Sequence, residues 1–211
     1  MSRQSLDGSQ WNGEPTSWVT TQVACRILLI PGSLRKDSTN SAVLRTAARA
    51  APVGINGVIY EDLARLPHFN PDDDGELLPV EVDRLRVAIR GAAALMFSTP
   101  EYAGALPGSL KNLLDWSIGD DQPGSIYNKP VGWLNASPRG ATGAYGELRT
   151  VLGYANADVV EDACLDVPVT SVMIDAEGLL ADPASRIRIA DGLRVLAAHA
   201  HCRPVRDPAL T

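Results

Sequence analysis

Short apolar runs recur along the chain, each followed by a polar or glycine-rich break and then by apolar residues spaced three and four apart. The first run, 25–30, is apolar except for Arg26, and helical spacing occupies 39–51. A second run at 57–61 precedes an irregular stretch, 62–78, broken by Pro67 and Pro71; Val82, Leu85 and Ile89 then mark one face of a helix over 80–90. A third run covers 92–98. Pro107 is placed as the first residue of the next helix, where its missing N–H does no harm, and Leu110, Leu113, Leu114 and Trp116 supply the inner face. Runs at 130–135 and 159–167, with helical patterns at 144–155 and 186–200, complete the alternation of five strands with five helices.

Strands that lack polar alternation are expected where both faces of a sheet are covered, which in a strand–helix alternation means a parallel sheet between two helical layers. The predicted fold class is therefore α/β, a doubly wound five-stranded parallel sheet in a three-layer α/β/α sandwich, with the flavodoxin-like order 2-1-3-4-5. In that order the chain reverses direction between strands 1 and 3. The loops that follow those two strands then flank one crevice at the carboxyl edge of the sheet.

With 211 residues, 45% of them hydrophobic, the chain can bury one substantial core. Residues 1–22, rich in Gly, Ser, Asn and Gln and without periodicity, are predicted to be an N-terminal extension, although Trp11 and Trp18 also suit an arm packed on a neighbouring subunit. Residues 23–203 are read as the folded domain and 204–211 as a C-terminal tail. The net charge is −6 and the basic residues are scattered, which argues against nucleic acid as a partner. No apolar run is long enough to cross a bilayer and no signal-peptide pattern opens the chain, so a cytoplasmic location without membrane insertion is expected.

Cys25, Cys164 and Cys202 are far apart and read as reduced, inert thiols. No metal site is expected. His199, His201 and Cys202 are spaced to point to different faces of a helix, and the acids of Asp72-Asp73-Asp74-Gly75-Glu76 are consecutive, not alternating as in a calcium loop, so they are read as a solvated loop.

The chemistry concentrates in two loops. After the first strand comes Gly32-Ser33-Leu34-Arg35-Lys36-Asp37-Ser38-Thr39-Asn40, a turn of small and hydroxylated residues opening a helix. A helix start leaves backbone N–H groups unpaired, and Ser33, Ser38, Thr39, Asn40 and the planar fork of Arg35 add donors suited to a phosphate. The same residues would also serve as an ordinary helix cap with Arg35 in water. Neither GxxxxGK[ST] nor a GxGxxG after the first strand is present, which disfavours ATP and a dinucleotide bound by its usual fingerprint. After the third strand comes Thr99-Pro100-Glu101-Tyr102-Ala103-Gly104, then Pro107-Gly108-Ser109-Leu110-Lys111-Asn112. Pro100 restricts Thr99 to extended angles and fixes its own φ, giving a firm edge for a flat ring. Tyr102 suits either a ring border or a loop aromatic without ligand, and the Glu101 carboxylate either flanks the helix that starts at Pro107 or crosses a subunit boundary.

The pattern Gly-Ser-Leu-Arg-x-x-Ser-x-Asn (Gly32 to Asn40), with Thr99-Pro100-Glu101-Tyr102, Pro107 to Asn112 and Asp115-Trp116 in the same order, resembles the NADPH-dependent FMN reductase family, a flavodoxin-like group that includes quinone, azo and chromate reductases. The resemblance implies bound FMN, with Gly32, Ser33, Leu34, Arg35, Ser38, Thr39 and Asn40 around its phosphate and Thr99, Pro100, Glu101, Tyr102, Ala103 and Gly104 along the ring. A third segment, Ser137-Pro138-Arg139-Gly140, is similar to one that approaches the pyrimidine side, where Arg139 suits either a charge that favours the reduced flavin or an exposed loop arginine without ligand. One departure is Ala103, since many relatives carry Asn directly after the Tyr. The family implies an NAD(P)H oxidoreductase in which NADPH or NADH delivers hydride to FMN and a small-molecule acceptor then takes the electrons in a ping-pong scheme. It also implies a homodimer or homotetramer, with the helix after the second loop, Trp116 included, near the contact. No protein residue is expected to be catalytic, and His68 and His199 are expected to be dispensable. An electron carrier of the same fold and a flavin-binding redox sensor share these motifs.

Overall fold

A computed structural model describes residues 25–201 of the chain. The expected extension 1–22 and tail 204–211, with Trp11, Trp18 and Cys202, lie outside the described residues.

The strands are β1 (Cys25–Pro31), β2 (Ile55–Ile59), β3 (Ala94–Ser98), β4 (Pro130–Asn135) and β5 (Asp158–Asp166). The helices are α1 (Thr39–Arg49), α2 (Val80–Arg90), α3 (Gly108–Ile118), α4 (Thr142–Tyr154) and α5 (Pro183–His199). All strand pairs are parallel and the order is β2-β1-β3-β4-β5, the flavodoxin-like sandwich expected from the pattern. The two cores explain the unbroken apolar runs. Ile27, Leu29, Ala94 and Met96 face α1 and α5, whereas Leu28, Ile30, Leu95 and Phe97 face α2, α3 and α4. The central strands β1, β3 and β4 thus spend both faces of the pleat on burial, whereas the edge strands β2 and β5 keep exposed positions.

Several boundaries and contacts differ from the sequence reading. β2 starts at Ile55, two residues early, because Gly54 turns at φ +86 and its carbonyl accepts the Cys25 N–H at 2.8 Å, so pairing with β1 begins at once. Pro107 is not the first helical residue: it sits at the N-cap with extended angles (φ −57, ψ 138), and its carbonyl accepts the first helical bonds, from Leu110 and Lys111. α5 starts at Pro183 because the Asp182 carboxylate accepts the Ser185 N–H at 2.8 Å.

Trp116 cannot lie at a subunit contact, since it is fully buried, donates its indole N–H to Pro67 O at 2.9 Å and meets Phe69 edge-on at 4.9 Å. Asn112 bonds the same segment through Pro67 O and the Phe69 N–H, at 2.8 and 2.7 Å. The acidic run is not wholly solvated either. Asp74 pairs with the buried Arg86 at 2.8 Å, and Arg86 also donates twice to Trp116 O, closing the loop onto the end of α3. Cys25 is disulfide-bonded, which corrects its reading as a reduced thiol; separation along the chain says nothing of distance in the fold. Cys164 is free, and burial pushes its thiol up to about 12. His199 bonds Asp158 at 2.7 Å. Among the described residues no helix is long and apolar enough to cross a membrane.

Lys129 is buried and is held by a neutral group, its ammonium donating to Ala92 O at 2.5 Å. Burial lowers its pKa to about 8. Between that value and the ordinary lysine range near 10.4, the unfolded chain binds more protons than the folded one, so stability rises with pH across this window; below pH 8 both states are charged and the penalty is constant. Lys129→Met should abolish the rise and leave the protein more stable at pH 7 by on the order of 2 kcal/mol. Urea melts at pH 7, 8, 9 and 10 measure both. Tyr60 and Tyr145, raised by burial, act in the opposite sense above pH 10 and cancel in the comparison.

Candidate flavin crevice at the carboxyl edge

β1 and β3 end side by side, Pro31 in register with Ser98. The loops that follow cannot separate. The Gly32 N–H donates to Ser98 O at 2.8 Å, and a Cβ built on Gly32 would fall 2.3 Å from Thr99 Oγ1 and 2.9 Å from Leu110 Cδ2. Only glycine permits this approach.

A buried polar network forms the floor. Ser98 Oγ lies 2.7 Å from Leu134 O and 3.0 Å from Asn40 Oδ1. A hydroxyl has one proton, which the closer Leu134 carbonyl takes, so the Asn40 amide is best satisfied turned to donate its NH2 to Ser98. Leu134 O also accepts the Tyr145 hydroxyl at 3.1 Å, and that hydroxyl accepts the Thr99 N–H at 3.2 Å. Five elements are joined here: the start of α1, the ends of β3 and β4, the second loop and α4. Burial raises the Tyr145 pKa, so its hydroxyl stays protonated.

In the first loop Ser33, Ser38 and Asn40 are buried, Thr39 is half-buried, and Leu34 and Arg35 are exposed. Ser33 Oγ accepts the Arg35 N–H at 3.2 Å, and Arg35 Nη2 donates to Asp37 O at 2.9 Å, which curls the guanidinium back over the loop. Ser38 is the N-cap of α1, but its side chain makes no capping bond, and the first turn of α1 carries no acid. Leu34 borders two cavities, one of about 500 Å³ towards β2 and one of about 390 Å³ towards α3.

In the second loop Thr99 is buried, Pro100 half-buried, and Glu101, Tyr102, Ala103 and Gly104 are exposed. Tyr102 and Ala105 exchange both backbone bonds at 3.1 Å around Ala103 (φ +53) and Gly104 (φ +78), a two-residue hairpin of the I′ kind. Glu101 does not flank α3. Its carboxylate accepts the Ala144 N–H at 3.0 Å, at the start of α4, where a helix N-terminus favours an anion. The Glu147 carboxylate on α4 accepts the Leu106 N–H at 2.7 Å.

In the third loop Ser137 and Gly140 are half-buried and Pro138 and Arg139 exposed. Asn135 shapes it, donating to Gly140 O at 2.6 Å and Asp166 Oδ1 at 2.9 Å and accepting the Ser137 N–H at 3.0 Å. A Cβ on Gly143 would meet Gly104 O at 2.1 Å, so the start of α4 packs directly on the hairpin.

The three loops named from sequence therefore converge on one edge. Ser98, Asn135, Tyr145 and Glu147 were not named as site residues, and of these only Ser98, adjoining the second motif, carried a local signal.

Ala103 holds a left-handed φ with a Cβ, which costs about 1 kcal/mol relative to glycine. Ala103→Gly should raise stability by about 0.5–1 kcal/mol and Ala103→Val should lower it by more than about 1 kcal/mol. Urea melts check both. The residue is exposed, so lost contacts contribute little.

Comparison with known proteins identifies the family and the fold. The family model described as NADPH-dependent FMN reductase matches residues 25–168, which include all three loops. An NAD(P)H-dependent FMN reductase of Pseudomonas aeruginosa is 35% identical over 174 residues, 81% of this chain and 92% of that protein. A quinone reductase of Escherichia coli is 34% identical over 140 residues, 64% of this chain and 73% of that protein. Among solved structures, the FerB flavoenzyme NAD(P)H:(acceptor) oxidoreductase of Paracoccus denitrificans superposes with a TM-score of 0.68 at 23% identity, covering 86% of this chain and all of that one, and shares the fold. A match that spans the whole strand–loop framework of the crevice places the chain in the NADPH-dependent FMN reductase family.

Proposed function

We propose that this chain is an FMN-dependent NAD(P)H oxidoreductase whose acceptor is a small molecule of the quinone, azo, flavin or metal-oxyanion type. The observation that carries the reading is the start of α1: no side-chain cap, no first-turn acid, buried Ser33, Ser38 and Asn40, and Arg35 beside them. Such a helix end offers aligned N–H donors and a cation to a doubly charged phosphate. On this reading Gly32, Ser33, Leu34, Arg35, Ser38, Thr39 and Asn40 hold the phosphate. Leu34 contributes its backbone, and Arg35 exchanges its bond to Asp37 O for the anion.

Thr99, Pro100, Glu101, Tyr102, Ala103 and Gly104 border the ring from one side, and Ser137, Pro138, Arg139 and Gly140 from the other. The fit rests on the donor set of the first loop and on the paucity of side-chain bulk at residues 103, 104, 137 and 140, which lets backbone groups approach a flat ligand. FMN bound there supplies the redox chemistry, accepting hydride from NADPH or NADH and reducing the acceptor in a second half-reaction. The chain binds, orients and leaves one side of the crevice open; no side chain is needed as acid, base or nucleophile. A homodimer or homotetramer is part of the proposal, with Trp116 excluded from its contact.

Freshly purified protein should release FMN on heating and, once loaded with FMN, bleach rapidly and anaerobically with NADPH or NADH. Reduction by dithionite but by neither nucleotide would instead mark an electron carrier. Arg35→Ala should weaken FMN by about 1.5–3 kcal/mol, roughly 10- to 150-fold in Kd, as measured by flavin fluorescence titration. Unchanged affinity would remove Arg35 from the site.

A further inference from the structure

The second loop is gripped at three points by α4. Its first N–H, on Thr99, is bonded by Tyr145, its last, on Leu106, by Glu147, and the Glu101 carboxylate between them reaches back to the Ala144 N–H. Tyr145 also donates to Leu134 O, two residues before the start of the third loop, so one hydroxyl spans both ring-facing segments. The hydroxyl is buried, and Phe in its place would leave the Thr99 N–H without this partner. Residues 46 and 11 positions apart are held by a single oxygen.

From this geometry we infer that Tyr145 and Glu147 are positioning residues for the flavin ring, setting the second loop at a fixed distance from the third without touching ligand. The inference rests on the FMN reading above. It concerns the spacing of the crevice walls, whereas that reading concerns what lies between them. A change in wall spacing alters the polar environment of a bound ring as well as its affinity, and so it moves spectral and kinetic properties that a fold-stabilising bond elsewhere would leave alone.

The test compares FMN-loaded wild type with Tyr145→Phe, Glu147→Ala, Glu147→Gln and a control, Tyr127→Phe. Tyr127 donates to Ile118 O at 2.7 Å at the surface, away from the crevice, so its loss removes a hydroxyl–carbonyl bond that has no part in the spacing of the loops. Tyr145→Phe and Glu147→Ala should each weaken FMN by about five- to tenfold, shift the visible flavin band and lower kcat for NADPH oxidation with little change in KM. Glu147→Gln, which keeps the acceptor, should restore most of the loss. Tyr127→Phe should match wild type in all three readouts. Should Tyr145→Phe fail to fold, the Glu147 pair carries the test alone. Wild-type affinity and spectrum in Tyr145→Phe or Glu147→Ala, or equal losses in Tyr127→Phe, would overturn the inference while leaving the FMN reading intact. Absence of FMN binding in wild type would sink that reading and the inference with it.

Discussion

The crests of β1 and β3 touch with no room for one carbon atom. Gly32 packs on Thr99 so closely that a methyl group would collide with both the side chain of Thr99 and Leu110, and the bond from its N–H to Ser98 O closes the same seam. This contact follows from topology. A sheet ordered β2-β1-β3 puts the chain reversal between these strands, so the loops leaving them depart in opposite directions from a common line. Without the contact the departure point would be a cleft into the core. With it, the crevice has a closed floor and the loops have a fixed origin.

That floor is polar although it is buried, and its stability depends on the pairing of its hydroxyls. Ser98, Asn40, Tyr145 and the Leu134 carbonyl form a connected set in which both hydroxyl protons have an acceptor. In a low-dielectric interior such a set is rigid when satisfied and expensive when one member is lost, because the remaining groups are left without water. The sequence positions of its members span three of the five strand–helix units. The network therefore forms only when the units have docked, and it couples the geometry of the site to the integrity of the whole sheet.

This separation explains what could be read in advance. The sheet, its order and the three loops rest on local information: apolar runs, glycine and proline punctuation, and motif residues adjacent in sequence. The strand over Pro130–Asn135 and the helix over Val80–Arg90 coincide with their predicted spans because their limits are set by local breaks. Tyr145 and Glu147 were not legible, since each meets a partner more than forty residues away and nothing in the intervening residues announces the meeting; the Arg86–Asp74 pair, though near in sequence, joins a loop to a helix across an irregular stretch without periodicity. Trp116 shows the same limit from the other side: helical periodicity puts it on the inner face, but only the bond to Pro67 O shows that a crossing loop seals it from any neighbour.

Two helices begin at the crevice, and their ends are treated differently. The positive end of α4 is already neutralised, because the Glu101 carboxylate lies on the Ala144 N–H. The positive end of α1 is left without a carboxylate in its first turn and without a side-chain cap, with Arg35 beside it. The macrodipole favours an anion at either start, by several tenths of a kcal/mol to roughly 2 kcal/mol when partly buried, but only one start has it to offer. On the proposed function, an elongated ligand with a charged phosphate at one end and a near-neutral ring at the other would thereby be given a direction. On this reading the phosphate would be drawn to α1, and the ring left to the side where α4 has been discharged and where the hairpin presents backbone, Arg139 being the charge that the third loop adds. On the proposed function, the orientation of the cofactor is thus set by where the chain spends its carboxylates as much as by where it places its donors.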